Sequence, residues 1–227
     1  MFPISTNLED VVSTFVGGLG KLKRHIFIAH KQWNAHATAR NSLTVNSLIT
    51  IEDYQRNIEV EYIEQPTSMA YSSNKLSVAV YPICLEFRNE ADGPVHKGAI
   101  TFISNDKAHD HQQVQAFERR MFEIARNELG MTIDHWQRWS DGCGAQFRSK
   151  FVNHDLLQAP CTFDVQSGSF SYFETHEGKN TSDTIGSIVK CAFVKGIAQD
   201  DQGIGKAENV VDLVKKNVKS ETKKFDC

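Results

Sequence analysis

The sequence predicts an α/β domain built on a mixed five-stranded sheet flanked by helices, and three observations support this. The elements follow the order βββαβαβα behind a helical N-terminal segment, which is typical of a sheet that is antiparallel at its start and parallel later. The short polar turn at residues 89–94 joins two strand-like stretches, as in an antiparallel hairpin. A chain of 227 residues with 40% hydrophobic content is also large enough to bury a full core.

The first 46 residues are predicted to be helical. A first helix begins near Asn7 and is expected to end at the glycine-rich stretch 17–20. A second helix is expected over residues 21–42, with one apolar face formed by Leu22, Ile26, Ala29 and Trp33. The segment 21–40 carries bases and histidines but no acid. Two interpretations of it remain open, a solvated helix packed on the domain or a surface that contacts nucleic acid.

The strand signals come from runs of β-branched and aromatic residues. Strands are expected at 48–54, 75–88, 98–104, 135–140 and 169–175, and residues 58–63 also look extended. Pro82 is expected to bend the second strand or to place it at an edge of the sheet, because proline has no backbone N–H for a ladder.

Helices are expected between and after the later strands. Asp110 is the predicted N-cap of a helix that ends at Gly130. Residues 145–158 form the next predicted helix, ended by Pro160, and further helices begin at 181 or 182 and at 207. The resulting organisation is an N-terminal helical segment (1–46), a catalytic-type domain (47–200) and a C-terminal helix (201–227).

Charge and cysteine content exclude several classes of protein. The net charge of −3 gives the chain no overall basic field of the kind that marks a nucleic-acid-binding protein. The five cysteines contain no C-x-x-C pair, so we expect reduced thiols rather than a disulfide framework or a zinc ribbon. No secretory leader and no stretch of about 18 apolar residues is recognisable, so an intracellular protein without a membrane span is expected.

Three aspartates fall at comparable places in this arrangement. Asp53 ends the first strand, Asp141 follows the fourth, and Asp183 begins the helix after the fifth. The first and fourth strands are expected to be parallel neighbours, so these carboxylates should converge. Clustered carboxylates repel each other unless a cation lies between them, and oxygen ligands suit Mg²⁺ or Mn²⁺. The alternative is that each is structural: Ser140-Asp141-Gly142 and Asp53 as turns, and Asp183 as a first-turn helix acid.

Three sequence blocks carry a family resemblance. They are Asp53-Tyr54-Gln55-Arg56-Asn57; Ser140-Asp141-Gly142 with Gln146-Phe147-Arg148; and residues 173–187, which contain Glu177-Gly178-Lys179, Asp183 and Gly186. Together with the element order, these blocks resemble the ribonuclease-H-like transposase and integrase superfamily, and more closely a set of transposase-derived animal proteins. The resemblance spans roughly residues 26–195. This sequence departs from the family pattern at Arg56, Glu177, Asn180 and Thr184, which replace glutamate, histidine and two glycines.

The resemblance implies a nuclear, transposase-derived ribonuclease-H-like domain that cleaves or transfers DNA strands with two Mg²⁺ or Mn²⁺ ions. Asp53, Asp141 and Asp183 would be the catalytic metal ligands, and Lys179, His176 and Arg148 would contact substrate phosphate. DNA is the expected partner, no membrane partner is expected, and homo-oligomerisation is left open. The alternative hypothesis is a catalytically inactive domesticated transposase domain that binds nucleic acid or protein.

Overall fold

The computed structural model describes residues 7–59, 77–143, 146–173, 181–197 and 207–217. Within these ranges the chain forms five helices and six strands. In chain order they are α1 (Leu8–Asn41), β1 (Ser47–Glu52), β2 (Gln55–Glu59), β3 (Ser77–Phe87), β4 (His96–Ser104), α2 (His111–Asn127), β5 (His135–Ser140), α3 (Lys150–Phe163), β6 (Ser167–Tyr172), α4 (Thr181–Ile197) and α5 (Ala207–Asn217).

The strands form one mixed sheet with β1 near its centre. β1 pairs antiparallel with β3 on one side and parallel with β5 on the other. β4 extends the sheet beyond β3 in antiparallel orientation, and β6 extends it beyond β5 in parallel orientation. The predicted mixed α/β sheet, with its first and fourth predicted strands as parallel neighbours, is therefore confirmed.

The sheet has six strands where five were expected, because the first predicted strand, 48–54, ends at Glu52 and a further strand, β2, follows at Gln55–Glu59. Of the stretch 58–63 that was expected to be extended, residues 58 and 59 belong to β2 and the rest lies outside the described residues. β1 pairs with residues 83–87 of β3, and β2 pairs with residues 77–80 of the same strand. The interruption at Asp53 and Tyr54 therefore lies opposite Pro82 and Tyr81. Pro82 has no backbone N–H with which to continue a ladder. The prediction that Pro82 marks an edge was wrong, because β3 pairs with β1 and β2 on one side and with β4 on the other, and the irregularity lies in its neighbour; the predicted bend stays a prediction.

Two helix boundaries also differ from expectation. α1 runs without a break through Gly17, Gly18 and Gly20 to Asn41, since glycine lowers helix propensity without forbidding helical dihedrals. α3 begins after its N-cap Ser149 and continues past Pro160 to Phe163, so the predicted stop at Pro160 was wrong. A proline removes one helical hydrogen bond, and here buried Ala159 and Phe163 anchor the last turn to the core.

Several local signals are confirmed. The side chain of Asp110 caps α2 by accepting a hydrogen bond from the backbone N–H of Gln113. Gly130, just beyond that helix, has the positive φ of 66° that favours glycine. The β3–β4 connection is an antiparallel hairpin whose turn contains a hydrogen bond from Gly93 N to Glu90 O.

Helices cover both faces of the sheet. On one face, α2 and α3 pack against a core that includes Leu48, Tyr81, Met121, Phe122, Trp136 and Phe163. On the other face, α4 and α5 cover β2 and β3 through Val78, Val80, Val189, Phe193, Val210 and Val214. The C-terminal half of α1 contributes Trp33 to a third cluster around Ile49, Ile51, Trp139 and Phe173. None of the helices in the described ranges is long and apolar enough to cross a membrane.

Candidate functional site

The candidate site lies at the carboxyl ends of the two central parallel strands. Glu52 and Ser140 are the last register partners of β1 and β5. Asp53 and Asp141 follow them directly, so the parallel pairing brings these two residues to the same end of the sheet. Carboxyl ends of neighbouring parallel strands are a common place for ligand sites in α/β proteins.

A buried hydrogen bond brings the third aspartate to this end. The hydroxyl of Ser182, in the first turn of α4, donates to the carbonyl oxygen of Ile51 at 2.9 Å. The same hydroxyl lies 3.5 Å from the thiol sulfur of Cys84 in β3. Ser182 is fully buried, so the start of α4 is fixed against β1 and Asp183 is held beside the strand end.

The three carboxylates share one electrostatic environment. The pKa of Asp53 is raised from 3.8 to about 7, chiefly by burial and then by the negative charges of Asp141 and Asp183, while a hydrogen bond from the backbone N–H of Tyr54 lowers it. The charges of two aspartates that are far from Asp53 in the sequence therefore affect its ionisation. Such a pKa shift is typical of functional sites, although structural clusters also produce it.

Protein donors also hold two of these carboxylates. The backbone N–H of Cys143 donates to Asp141 Oδ1 at 3.1 Å, and the side-chain amide of Gln55 donates from Nε2 to Asp183 Oδ1 at 3.2 Å. In this arrangement no group of three His, Cys, Asp or Glu side chains, among the residues that the structure describes, is placed to hold a metal ion. The three aspartates are close enough for the charges of Asp141 and Asp183 to act on Asp53.

Gln55 reaches Asp183 only because residue 186 is glycine. A Cβ atom added at Gly186 would lie 2.3 Å from Gln55 Cγ and 2.4 Å from its Cδ, far inside van der Waals contact. The absence of a side chain on this turn of α4 therefore leaves the space that the glutamine fills. Gln55 and Gly186 belong to different blocks of the family resemblance, and the fold places them in contact.

The predicted phosphate contacts have different outcomes. Arg148 is exposed, and its guanidinium lies 5.3 Å from the ring centroid of Tyr172, the last residue of β6. It therefore lies toward the same end of the sheet as the aspartates. His176, Lys179 and Glu177 lie outside the described residues. Arg56 is in β2, immediately after Gln55.

A buried charged network lies under the strand end. Glu52 accepts hydrogen bonds from Thr50 Oγ1 at 2.6 Å and from Tyr81 Oη at 2.7 Å. Arg138 Nη1 donates to Glu118 Oε1 at 2.7 Å, and the guanidinium lies 3.5 Å from the ring centroid of Phe170. The pKa of Glu118 is raised to about 8 and that of Glu52 is also raised, in both cases chiefly by burial, even though the charge of Arg138 lowers both.

Tyr54 connects the strand interruption to the start of α2. Its hydroxyl donates to Gln113 Oε1 at 2.6 Å, and its ring stacks on His109 with a centroid distance of 4.2 Å. His109 has a positive φ of 49°, and burial lowers the pKa of its imidazole. As expected, Asp110 serves as a helix cap.

Sequence reasoning missed four residues that shape this end of the sheet. Gln55 lay inside a quoted block but carried no signal of its own, and Ser182 was considered only as a helix cap. Glu118 and Arg138 lie in different elements, and nothing local in the sequence indicates that they form an ion pair. Helical spacing could have placed Glu118 on the buried face of α2, since Val114 and Met121 flank it.

Comparison with known proteins identifies the family. A family model described as a domain of unknown function (DUF8701) matches residues 32–225. The chain belongs to this family. The DUF8701 range begins in the C-terminal half of α1 and includes the whole sheet and all three aspartates. No curated protein and no solved structure matches the chain.

Proposed function

We propose that this DUF8701 chain is a transposase-derived, ribonuclease-H-like domain that cleaves or transfers DNA strands in the nucleus with the help of divalent metal ions. In this proposal Asp53, Asp141 and Asp183 are the metal ligands. The strand arrangement supports it, because three antiparallel strands followed by two parallel ones, with β1 between β3 and β5, is the pairing expected of that fold. The residue blocks described above support it independently of the strand pairing.

The observation that carries the proposal is that the β1–β5 pairing and the Ser182–Ile51 hydrogen bond bring Asp53, Asp141 and Asp183 to the same end of the sheet; the raised pKa of Asp53 agrees with this placement. Burial, Asp141 and Asp183 together raise it to about 7. A protein that needed these positions only as turn or capping residues gains nothing from placing three acids within reach of each other, since their repulsion costs stability. A cation bound between these carboxylates would attract all three, so that the cluster would then stabilise the folded chain.

The donor set suits a hard cation. Carboxylate oxygens are the preferred protein ligands of Mg²⁺ and Mn²⁺, which keep several water molecules and also accept phosphate oxygens. Asp53, Asp141 and Asp183 would hold two such ions, which would supply an activated water or hydroxyl and stabilise the leaving oxygen in phosphodiester chemistry. The Cys143 N–H and the Gln55 amide each donate to one oxygen of Asp141 and Asp183, so these donors would orient the two carboxylates toward a cation.

Other side chains of the chain have supporting roles in this proposal. Arg148 is exposed toward the same end of the sheet, where its guanidinium can bind a phosphate through paired N–H groups. Lys179 and His176 are further candidates for phosphate contact from the segment before α4. Ser182 fixes the helix start, so it positions Asp183 without touching substrate.

Metal binding and DNA cleavage test the proposal together. We expect millimolar Mn²⁺ to raise the Tm of the wild-type chain and to support cleavage of a plasmid or an oligonucleotide duplex. Asp141→Asn should lose both effects. Asp134→Asn is a matched control, because Asp134 precedes β5 and Asp141 follows it. Cleavage by Asp141→Asn at the wild-type rate would refute the catalytic assignment.

One observation favours a second function, a catalytically inactive domain that binds nucleic acid or protein. Gln55 Nε2 lies against Asp183 Oδ1, and no described group of three acids, histidines or cysteines is arranged around a metal position. In this alternative the Gln55 amide takes the place of a cation as the partner of the Asp183 carboxylate. This alternative predicts no Tm shift with Mn²⁺ and, for nucleic acid, binding that weakens steeply as salt is raised.

A further inference from the structure

An exposed aromatic ring lies at the same end of the sheet as the aspartates. β4 and β5 run in the same direction as β1, so the helices that follow them, α2 and α3, both begin at the end where β1 ends. Phe151 is the second residue of α3 and is 51% exposed. A single exposed phenylalanine is common on protein surfaces, so its position and its neighbours decide what it can do.

The ring of Phe151 is held in a defined plane. It stacks on the imidazole of His111, the first residue of α2, with a centroid distance of 4.8 Å and an angle of 13° between the planes. The ammonium nitrogen of Lys150 lies 5.2 Å from the centroid of the same ring. Because each ring belongs to the first turn of a helix, two helices of the domain together set the orientation of the stack. The protein therefore presents a planar aromatic group to solvent at a fixed place.

Ring contacts connect this stack to the candidate site. Tyr54 directly follows Asp53, and its ring stacks on that of His109 with a centroid distance of 4.2 Å. His109 comes two residues before His111, so the start of α2 is held beside the strand end that carries Asp53. A substrate strand bound at the aspartates would therefore extend toward the Phe151 ring.

Two bases accompany the ring. Arg148 and Lys150 both lie in the three residues that precede it, and both are exposed. The acids of the neighbouring segments are less available to a ligand, because Asp106 and Asp110 accept hydrogen bonds from backbone N–H groups and Asp155 is half-buried. An exposed ring with cations beside it is the combination that binds single-stranded nucleic acid, whose bases stack and whose phosphates carry the negative charge.

We propose that Phe151 is a stacking platform for an unpaired DNA base beside the candidate site, and that Arg148 and Lys150 bind the phosphates that flank this base. The inference rests on the proposed function and narrows its substrate to DNA with a single-stranded stretch next to the cleaved bond. In the interior of a duplex both faces of a base are covered by its neighbours, so a protein ring stacks only on a base outside the duplex. Stacking uses the π face that every base has, so the platform requires no particular sequence.

DNA binding without cleavage tests the platform. Fluorescence anisotropy in a chelating buffer, on a parent chain that carries Asp141→Asn, compares a labelled duplex that has a single-stranded tail with the blunt duplex of the same sequence. We expect Phe151→Ala to bind the tailed duplex roughly five- to 100-fold more weakly than the parent, Phe151→Trp to restore the affinity, and binding of the blunt duplex to change little. Leu157→Ala is the matched control, because Leu157 is 78% exposed further along α3, and it should bind both DNAs as the parent does.

A fluorescent adenine analogue in the single-stranded tail reports stacking itself. We expect its fluorescence to be quenched when the parent chain binds and to be quenched less when Phe151→Ala binds at saturation. Equal affinities of the parent and Phe151→Ala for the tailed duplex leave the ring to another partner and overturn the proposal. An equal loss on the tailed and blunt duplexes also overturns it, because the ring would then not read an unpaired base.

These outcomes are separate from the outcome of the cleavage test. A wild-type chain that cleaves no DNA, but whose Asp141→Asn form binds the tail through Phe151, loses the catalytic assignment and keeps the platform. A wild-type chain that cleaves DNA, with equal affinities of the parent and Phe151→Ala for the tail, keeps the proposed function and loses the platform.

Discussion

The hydroxyl of Ser182 donates to the carbonyl oxygen of Ile51 at 2.9 Å, and this contact joins the first turn of α4 to the end of β1. Asp183 follows Ser182, and Asp53 comes two residues after Ile51. The two carboxylates repel each other, so their own interaction does not bring them together. The neutral, buried hydrogen bond between Ser182 and Ile51 holds the two aspartates near each other instead.

Ser182→Ala should therefore loosen the start of α4. It leaves the Ile51 carbonyl without this donor in a buried place, and we expect the free energy of unfolding to fall by about 1–2 kcal/mol. Urea denaturation measures the change. Ser187→Ala, an exposed position on the same helix, should change stability little. Equal effects from the two substitutions would contradict a special role for the Ser182–Ile51 bond.

Gly186→Ala should reverse the sign of its effect when Gln55 is shortened. In the wild-type chain the new Cβ would lie 2.3 Å from Gln55 Cγ, so we expect destabilisation as the glutamine is displaced from Asp183. In a Gln55→Ala chain the clash is absent, and the same substitution should stabilise the helix by up to about 1 kcal/mol. A double-mutant cycle from chemical denaturation measures this coupling. Additive effects would show that Gln55 and Gly186 do not interact.

Asp53→Asn should stabilise the metal-free chain increasingly as pH rises. In the folded chain the pKa of Asp53 is raised from 3.8 to about 7. Between these values the unfolded chain loses its proton while the folded chain keeps it, so wild-type stability falls as pH rises. We expect the variant's advantage to be small at pH 4 and to reach about 1–3 kcal/mol at pH 8.

Thermal unfolding from pH 4 to 8 in a chelating buffer checks this prediction. Asp92→Asn, an exposed acid in the β3–β4 turn, is the control and should show no such trend. An advantage of Asp53→Asn that does not change with pH would contradict the raised pKa.

Arg138→Leu should be strongly destabilising. Arg138, Glu118 and Glu52 are each at most 2% exposed, and removing the guanidinium leaves two buried carboxyl groups without a cation. We expect a loss of about 3–5 kcal/mol in the free energy of unfolding. Arg138→Leu combined with Glu118→Leu should recover part of that loss, because both members of the ion pair are then removed and Glu118 is not left buried without its partner. Urea denaturation of both chains is the measurement, and a double variant less stable than Arg138→Leu alone would argue against the ion pair.

The sequence was informative where a signal is local. Asp110 and Gly130 bound α2 as their residue types predict, since capping and positive φ depend only on neighbouring backbone. Trp136 and Trp139 are both buried but lie in core clusters on opposite faces of the sheet, because they are three positions apart in β5 and both faces of that strand are covered. The glycines of α1 and Pro160 of α3 were misleading, because their effect on a helix depends on what else holds that helix in place.

The sequence by itself determined the type and order of most elements and the acidic residues that follow the strands, because periodicity, caps and turn residues act over a few positions. It did not show that α1 is one continuous helix or that β2 is a separate strand. Only the tertiary structure decided that the first strand is interrupted opposite Pro82, that Gln55 fits against Gly186, and that Arg138 pairs with Glu118. Each of these contacts joins residues at least 20 positions apart. They depend on strand register and helix placement, which are set by the packing of the whole core and not by any short stretch of chain.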